Sequence, residues 1–168
     1  CEKPLALSLS DCDRMVDAAA RAGVCAMVGF NTRRHAQAQR ARDAIRRGEL
    51  GAIDVVQSRL TSFHTTVPAW HERRATGGGV LMELAIHHVD LWRWLTGDEV
   101  DEVFAYARTG EREDESAVLV ARMGSGALAT AAFAERTSRT DDVAVYGNAG
   151  SVALSLYRFD GYETASPD

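Results

Sequence analysis

The sequence predicts an α/β opening that runs into an α+β domain with a largely antiparallel, open sheet. Two observations carry this. Near the start, a helix-like stretch is followed by the short apolar run "VCAMVGF" (24–30), the pattern of a buried parallel strand after a helix. Beyond Gly97 the texture changes to strand-like runs separated by turn signals, which suits strands that meet their neighbours through short connections. The 168 residues are 46% hydrophobic and 26% charged, enough apolar material for a core and an ordinary globular balance.

Taken in order, Ser8 and Ser10 each precede an aspartate by three residues (Asp11, Asp13), the pattern that caps free helix N–H groups. Cys12, Met15, Val16, Ala19 and Ala20 then recur at helical spacing as far as Ala22, and Gly23 supplies a stop. "NTRRHAQAQRARDAIRRGELG" (31–51) reads as a second helix ending near Gly48 or Gly51, and "AIDVVQSRLTSFH" (52–64) alternates as a strand. Residues 64–79 form a loop with Pro68, Trp70 and the triplet Gly77-Gly78-Gly79; a third helix covers about Val80 to Leu95, closed by Gly97. "EVFAYAR", "SAVLVARM", "ALATAAFAE", "DVAVYG" and "SVALSLY" are the later strands, and the end "YETASPD" is polar and reads as cut off mid-fold. The apolar character of these runs predicts a covered sheet face, and hence a homo-oligomer built through the sheet.

The net charge of −5 argues against nucleic acid as a partner. The basic cluster "RRHAQAQRARDAIRR" is broken by Asp43 and continues to Glu49, so it reads as one polar helix face. Cys1, Cys12 and Cys25 are scattered and odd in number, which suits reduced thiols in the cytoplasm. No apolar run approaches the roughly 18–20 residues that span a bilayer and no signal peptide is recognisable, so no membrane partner is expected.

The third helix is apolar around most of its circumference yet carries Glu83, His87 and Asp90. At about 100° per residue these three and Trp94 share one narrow stripe, while His88 falls on the opposite, apolar half, as a core histidine bonded to backbone. An imidazole beside a carboxylate titrates close to neutrality and can exchange protons at working pH. The same pattern also suits a surface stripe with an i,i+4 pair contributing a few tenths of a kcal/mol, on the order of 0.3. No metal site is assigned: the stripe would give two oxygens and one nitrogen from one face, with no dedicated further ligand group nearby.

"EKP" (2–4), "GFNTRRH" (29–35), "RRGELGAI" (46–53), the "W…GGG…E…HH.D" series from Trp70 to Asp90 and "VYGNAGSVAL" (145–154) follow one another in this order. Together they resemble the Gfo/Idh/MocA family of nicotinamide-dependent oxidoreductases, from Glu2 to about Leu156. The resemblance implies the C-terminal remnant of a Rossmann dinucleotide-binding domain over residues 1–30 and an α+β substrate-binding and oligomerisation domain over 31–168, expected to be incomplete at its C-terminus. It implies NAD or NADP as cofactor and a sugar, cyclitol or related polyol as substrate. It also implies a cofactor side made of Glu2, Lys3, Pro4 and Trp70, with a cis Lys3–Pro4 bond. Lys3 would stand beside the reacting carbon, His87 would take the alcohol proton, and Glu83 would fill the place of the family's aspartate four residues before that histidine. Asn31, Arg33, His64 and His71 are the candidate substrate contacts.

The sequence departs from the family pattern in three places. Glu83 is one methylene longer than the usual aspartate, Ala85 replaces a frequent glycine, and His71 follows Trp70 where some branches have arginine. No G-x-G-x-x-G occurs, so the phosphate-binding turn of the first βα unit is absent from this sequence. The expectation is a portion of a dehydrogenase that is inactive as 168 residues alone. The alternative is a non-catalytic binding or dimerisation module derived from the second domain.

Overall fold

The computed structural model describes residues 1–63, 66–157 and 162–166. Three α-helices are present, α1 (Leu9–Ala22), α2 (Ala36–Arg46) and α3 (Ile86–Thr96). Seven strands follow in chain order as β1 (Ile53–Phe63), β2 (Val100–Arg108), β3 (Ser116–Met123), β4 (Leu128–Ala134), β5 (Arg136–Gly147), β6 (Gly150–Ser155) and β7 (Tyr162–Ala165). They form one sheet in the order β2-β3-β4-β1-β5-β6-β7. Only β1 and β4 run parallel; every other neighbouring pair is antiparallel. The fold is therefore a short Rossmann tail followed by an α+β domain with a mostly antiparallel sheet.

The central position of β1 follows from one bend. β4 ends at Ala134, opposite Thr61, and β5 begins at Arg136, opposite Phe63 on the other side of β1. The chain thus crosses the end of β1 and returns along its far edge. The two adjacent strands become the neighbours of a strand more than sixty residues earlier.

The core lies between one sheet face and α2 and α3. Strict alternation along β3 buries Ala117, Leu119, Ala121 and Met123 and leaves Val118 and Val120 half exposed. Small Ala38, Ala41 and Ala44 let α2 approach closely, and Leu91, Trp92 and Leu95 of α3 fill the centre. The indole of Trp92 is fully buried and donates Nε1–H to Ser58 Oγ at 2.7 Å, so its polar edge is satisfied inside the core. The opposite sheet face carries Phe104, Tyr106, Val118 and Val120, all at least half exposed.

Several expectations change. α1 is capped by Ser8, whose Oγ accepts from Asp11 N, and ended by left-handed Gly23, as its sequence predicts. None of its residues is buried, however, so its apolar stripe of Met15 and Val16 stays about half exposed, at 41% and 59%. The 24–30 run is not a buried strand: Val24 and Met27 are exposed, and its strand pairing among the described residues is confined to Cys1 N–H donating to Met27 O and Gly29 N–H donating to Cys1 O. That is one link of a parallel ladder, too short to register as a strand. The second helix does not start at Asn31. A 3₁₀ turn (Asn31–Arg34) comes first, the chain extends at His35, and the His35 ring then accepts from Gln37 N to cap α2. β7 lies in the polar end, outside the strands read from the sequence; only Tyr162 of its four residues is large and apolar.

Candidate functional site

Two close approaches shape the loop that leads into α3. A side chain on Gly78 would lie 2.1 Å from the His71 carbonyl oxygen, and one on Gly79 would meet Asp114 Cβ at 2.9 Å with φ at +87°. The loop can fold onto itself and onto the 109–115 turn only with glycine at these positions. Asp114 completes the clamp: it is buried, accepts two hydrogen bonds from Arg74 at 3.0 and 2.7 Å, and its carbonyl accepts from Val80 N at 2.9 Å. One π-helical turn (Leu81–Ala85) then runs into α3. Such single wide turns recur at functional sites, and this one carries Glu83.

Glu83 is the hub. Its carboxylate lies 3.0 Å from Lys3 Nζ and 3.8 Å from His71 Nε2, and the same ammonium donates to the Glu83 carbonyl at 2.9 Å. Lys3 thereby ties the first thirty residues to the start of α3. One turn further on, His87 faces the same way and meets Phe30 edge-to-face at 6.4 Å. Burial holds its pKa below the ordinary imidazole value, and the Lys3 charge pushes in the same direction; Glu83 opposes both more weakly. The ring is neutral at pH 7 rather than titrating at neutrality. Its Nδ1 is buried and makes no hydrogen bond. A cavity of about 610 Å³ opens beside these groups, lined by Asn31, His35, Glu83, His87 and Asp141 among others.

The candidate residues separate accordingly. Lys3, Glu83, His87 and His71 converge, and Asn31 borders the same cavity. Trp70 is half exposed and stacks on His71 with ring centres 3.8 Å apart. Pro4 follows a cis peptide bond, and Glu2 lies against Gly29 beside a neighbouring cavity that Arg33 also lines. His64 lies outside the described residues.

Arg33 is committed to Asp90. Two donors reach the carboxylate at 2.7 and 2.5 Å, and the guanidinium sits over the Phe30 ring. Asp90 is buried at 3% exposure while the Arg33 side chain is 40% exposed, so the two partners are not equivalent. Removing the arginine strands a buried carboxylate; removing the aspartate leaves a cation that water can reach. Arg33→Ala is expected to lower unfolding stability by about 3 kcal/mol, and Asp90→Ala by clearly less, in urea titrations of this chain. Equal effects would contradict this reading. Because Asp90 turns to Arg33, it does not join Glu83 and His87. Among the described residues no three His, Cys, Asp or Glu side chains are placed to hold a metal ion.

His88, expected to bond backbone, instead places Nε2 3.1 Å from Asp141 Oδ1. Asp141, which borders the main cavity, is a site residue that sequence reading missed; no local spacing links β5 to α3.

Could these residues serve a nicotinamide? The His87 imidazole on the cavity wall and the Lys3 ammonium held by Glu83 are, respectively, acceptor and donor types that suit hydride transfer from an alcohol. The residues present fit the reactive end of such a cofactor, not its phosphates.

Comparison with known proteins agrees with this architecture. The model of the GFO/IDH/MocA C-terminal domain matches residues 38–153, and that of an oxidoreductase family with an NAD-binding Rossmann fold matches residues 1–30. The chain is 34% identical to the myo-inositol 2-dehydrogenase of Thermotoga maritima over 90% of its own length and 47% of that protein. It is 32% identical to the 1,5-anhydro-D-fructose reductase of Ensifer adhaerens over 90% of its own length and 48% of that protein. The WlbA dehydrogenase of Bordetella pertussis, solved with NADH and UDP-GlcNAcA, superposes with a TM-score of 0.87 at 30% identity, over 99% of this chain and 56% of that one. An oxidoreductase domain protein of Kribbella flavida superposes at 0.88 with 26% identity, over 99% of this chain and 50% of that one. The chain spans about half the length of the curated relatives it matches.

Proposed function

Since the chain belongs to the GFO/IDH/MocA oxidoreductase family, we propose that it supplies the catalytic and substrate-binding half of an NAD(P)-dependent dehydrogenase acting on a sugar, cyclitol or related polyol. One observation carries the reading: Glu83 holds the Lys3 ammonium at 3.0 Å on the side of α3 where a buried, neutral His87 borders the cavity. A non-catalytic module has no physical need to keep an ammonium and an orphaned imidazole together in a partly buried place.

The division of labour follows from the chemistry of each group. When bound, the nicotinamide supplies the hydride acceptor or donor. His87 accepts the hydroxyl proton of the substrate, which its neutral form permits. Lys3 stabilises negative charge developing on the same oxygen. Glu83 aims Lys3 and, through His71, steadies the Trp70–His71 side of the pocket. Asn31, His71 and Trp70 contact the substrate or the cofactor, and Arg33 acts by fixing the turn that presents Asn31. The half-exposed stripe of α1 and the exposed Val24 and Met27 of the 24–30 run support a nucleotide domain that covers them. The open sheet face, with Phe104, Tyr106, Val118 and Val120, is the surface for a second copy of the chain. The free thiols fit a cytoplasmic setting.

One preparation tests this. Protein expressed from the complete reading frame that contains this chain is assayed for nicotinamide reduction with a panel of neutral sugars and polyols headed by myo-inositol, and its mass in solution is measured alongside. Turnover by a homo-oligomer is expected, with none from the 168 residues alone. A complete protein that reduces neither NAD nor NADP with any of them sinks the dehydrogenase reading; robust turnover by the short chain sinks the need for a further domain.

A further inference from the structure

The His88–Asp141 pair stands outside the roles given so far, yet it reaches the same cavity. His88 is completely buried and wedged edge-on against Phe133, with ring centres 5.7 Å apart. Its Nε2 lies 3.1 Å from Asp141 Oδ1. With the aspartate ionised that nitrogen must carry the proton, since a carboxylate only accepts. Asp141 sits on β5, on the face that packs against α3, and its backbone carbonyl is held by Leu156 N at 2.7 Å. Its side chain is 21% exposed and lines the cavity shared by Glu83 and His87. The second carboxylate oxygen makes no hydrogen bond among the described residues.

A carboxylate drawn partly out of water is costly unless its lone pairs are used. Here one oxygen is fixed by a ring that packing prevents from turning, and the other is left toward a cavity of small-molecule size. Groups from two elements, Glu83 and His87 before and within α3 and Asp141 on β5, converge there. A reacting alcohol would be served by His87 and Lys3. A polyhydroxylated molecule brings further O–H donors, and an ionised acceptor held in one rotamer is suited to read one of them.

We propose that Asp141, held by His88, is a substrate-contacting, specificity-determining residue that accepts a hydrogen bond from a hydroxyl group other than the one that reacts. The proposal rests on the dehydrogenase reading above. It names the ligand chemistry at this corner as a neutral hydroxyl. A substrate carboxylate placed there would face Asp141 with like charge and be disfavoured.

The test uses the complete protein and the neutral polyol it turns over best, with the monodeoxy analogues of that polyol and its uronate counterpart. Asp141→Ala is expected to lower kcat/KM by about ten- to a hundredfold, chiefly by raising KM, the cost of losing a charge-assisted hydrogen bond. The wild type is expected to discriminate against one monodeoxy analogue and against the uronate, and Asp141→Ala to lose both preferences. Asp141→Asn, which keeps the packing, guards against misfolding and should relax the uronate preference alone. His88→Gln should fall between, because the carboxylate stays but is less firmly held. If Asp141→Ala keeps kcat/KM within about twofold, or Asp141→Asn keeps the uronate preference, the proposal is wrong while the dehydrogenase reading stands. If the wild type turns over no polyol at all, that reading falls and this one falls with it.

Discussion

His87→Asn in the complete enzyme is expected to lower kcat for alcohol oxidation by about a hundred- to ten-thousandfold, the range for removing a positioned general base. Substrate affinity should change far less, because asparagine keeps a polar group of similar reach on α3. The pH profile gives the sharper check. The imidazole must be neutral to accept a proton, so activity is full above its pKa and falls as pH drops through it. Burial, and then the Lys3 charge, hold that pKa below the ordinary 6.5. The acid limb of kcat/KM for the wild type therefore lies below the usual histidine range and should vanish in His87→Asn. A variant that retained the limb and most of the rate would assign the proton to another group.

Why His87 could be read from sequence while its neighbours could not is a matter of distance along the chain. Glu83 and His87 are four residues apart on one helix, and helical geometry alone puts them on one stripe. The strands β3, β4 and β6 were equally legible, because one face packs on helices and the other does not, and alternation records that difference. Three things were hidden. Arg33 meets Asp90 across 57 residues, and His88 meets Asp141 across 53, so only the fold brings either pair together. Insertion of β1 between β4 and β5 leaves no local trace, since it depends on a single bend near Glu135. The first half of β5, "RTSRTDD", and β7 carry few large apolar residues, so their hydrogen bonding to neighbours, not their side chains, makes them strands. The 24–30 run fails in the opposite sense. Its side chains suit a buried strand, but among the described residues its only strand-type pairing is with Cys1.

Lys3→Met is expected to cost about a hundred- to a thousandfold in kcat, the scale of removing one donor that stabilises developing oxyanion charge. Three effects would act together, and they can be separated. The ammonium that would meet the reacting oxygen is gone. Glu83 loses its partner at 3.0 Å and its carbonyl loses the donor at 2.9 Å, so the carboxylate is free to swing toward His71. The Lys3 charge that pushes the His87 pKa down is removed, leaving burial and the neighbouring His88 as the lowering influences, so the acid limb moves upward in pH. Lys3→Arg keeps the charge but replaces a compact ammonium with a planar fork. It should hold the limb near its wild-type position while failing to restore kcat. Lys3→Met with Glu83→Gln removes both charges; the limb should then lie below that of Lys3→Met, because the raising influence of Glu83 is lost too, yet above the wild-type limb, because Lys3 outweighs Glu83 in setting the His87 pKa. A role confined to tying residues 1–30 to α3 predicts something else: lowered stability, the same electrostatic shift of the limb, and recovery of rate in any variant that packs well. Measuring kcat, the acid limb and the urea midpoint on the same three proteins decides between them, since a lysine that acts only as a tie loses kcat only where the urea midpoint falls.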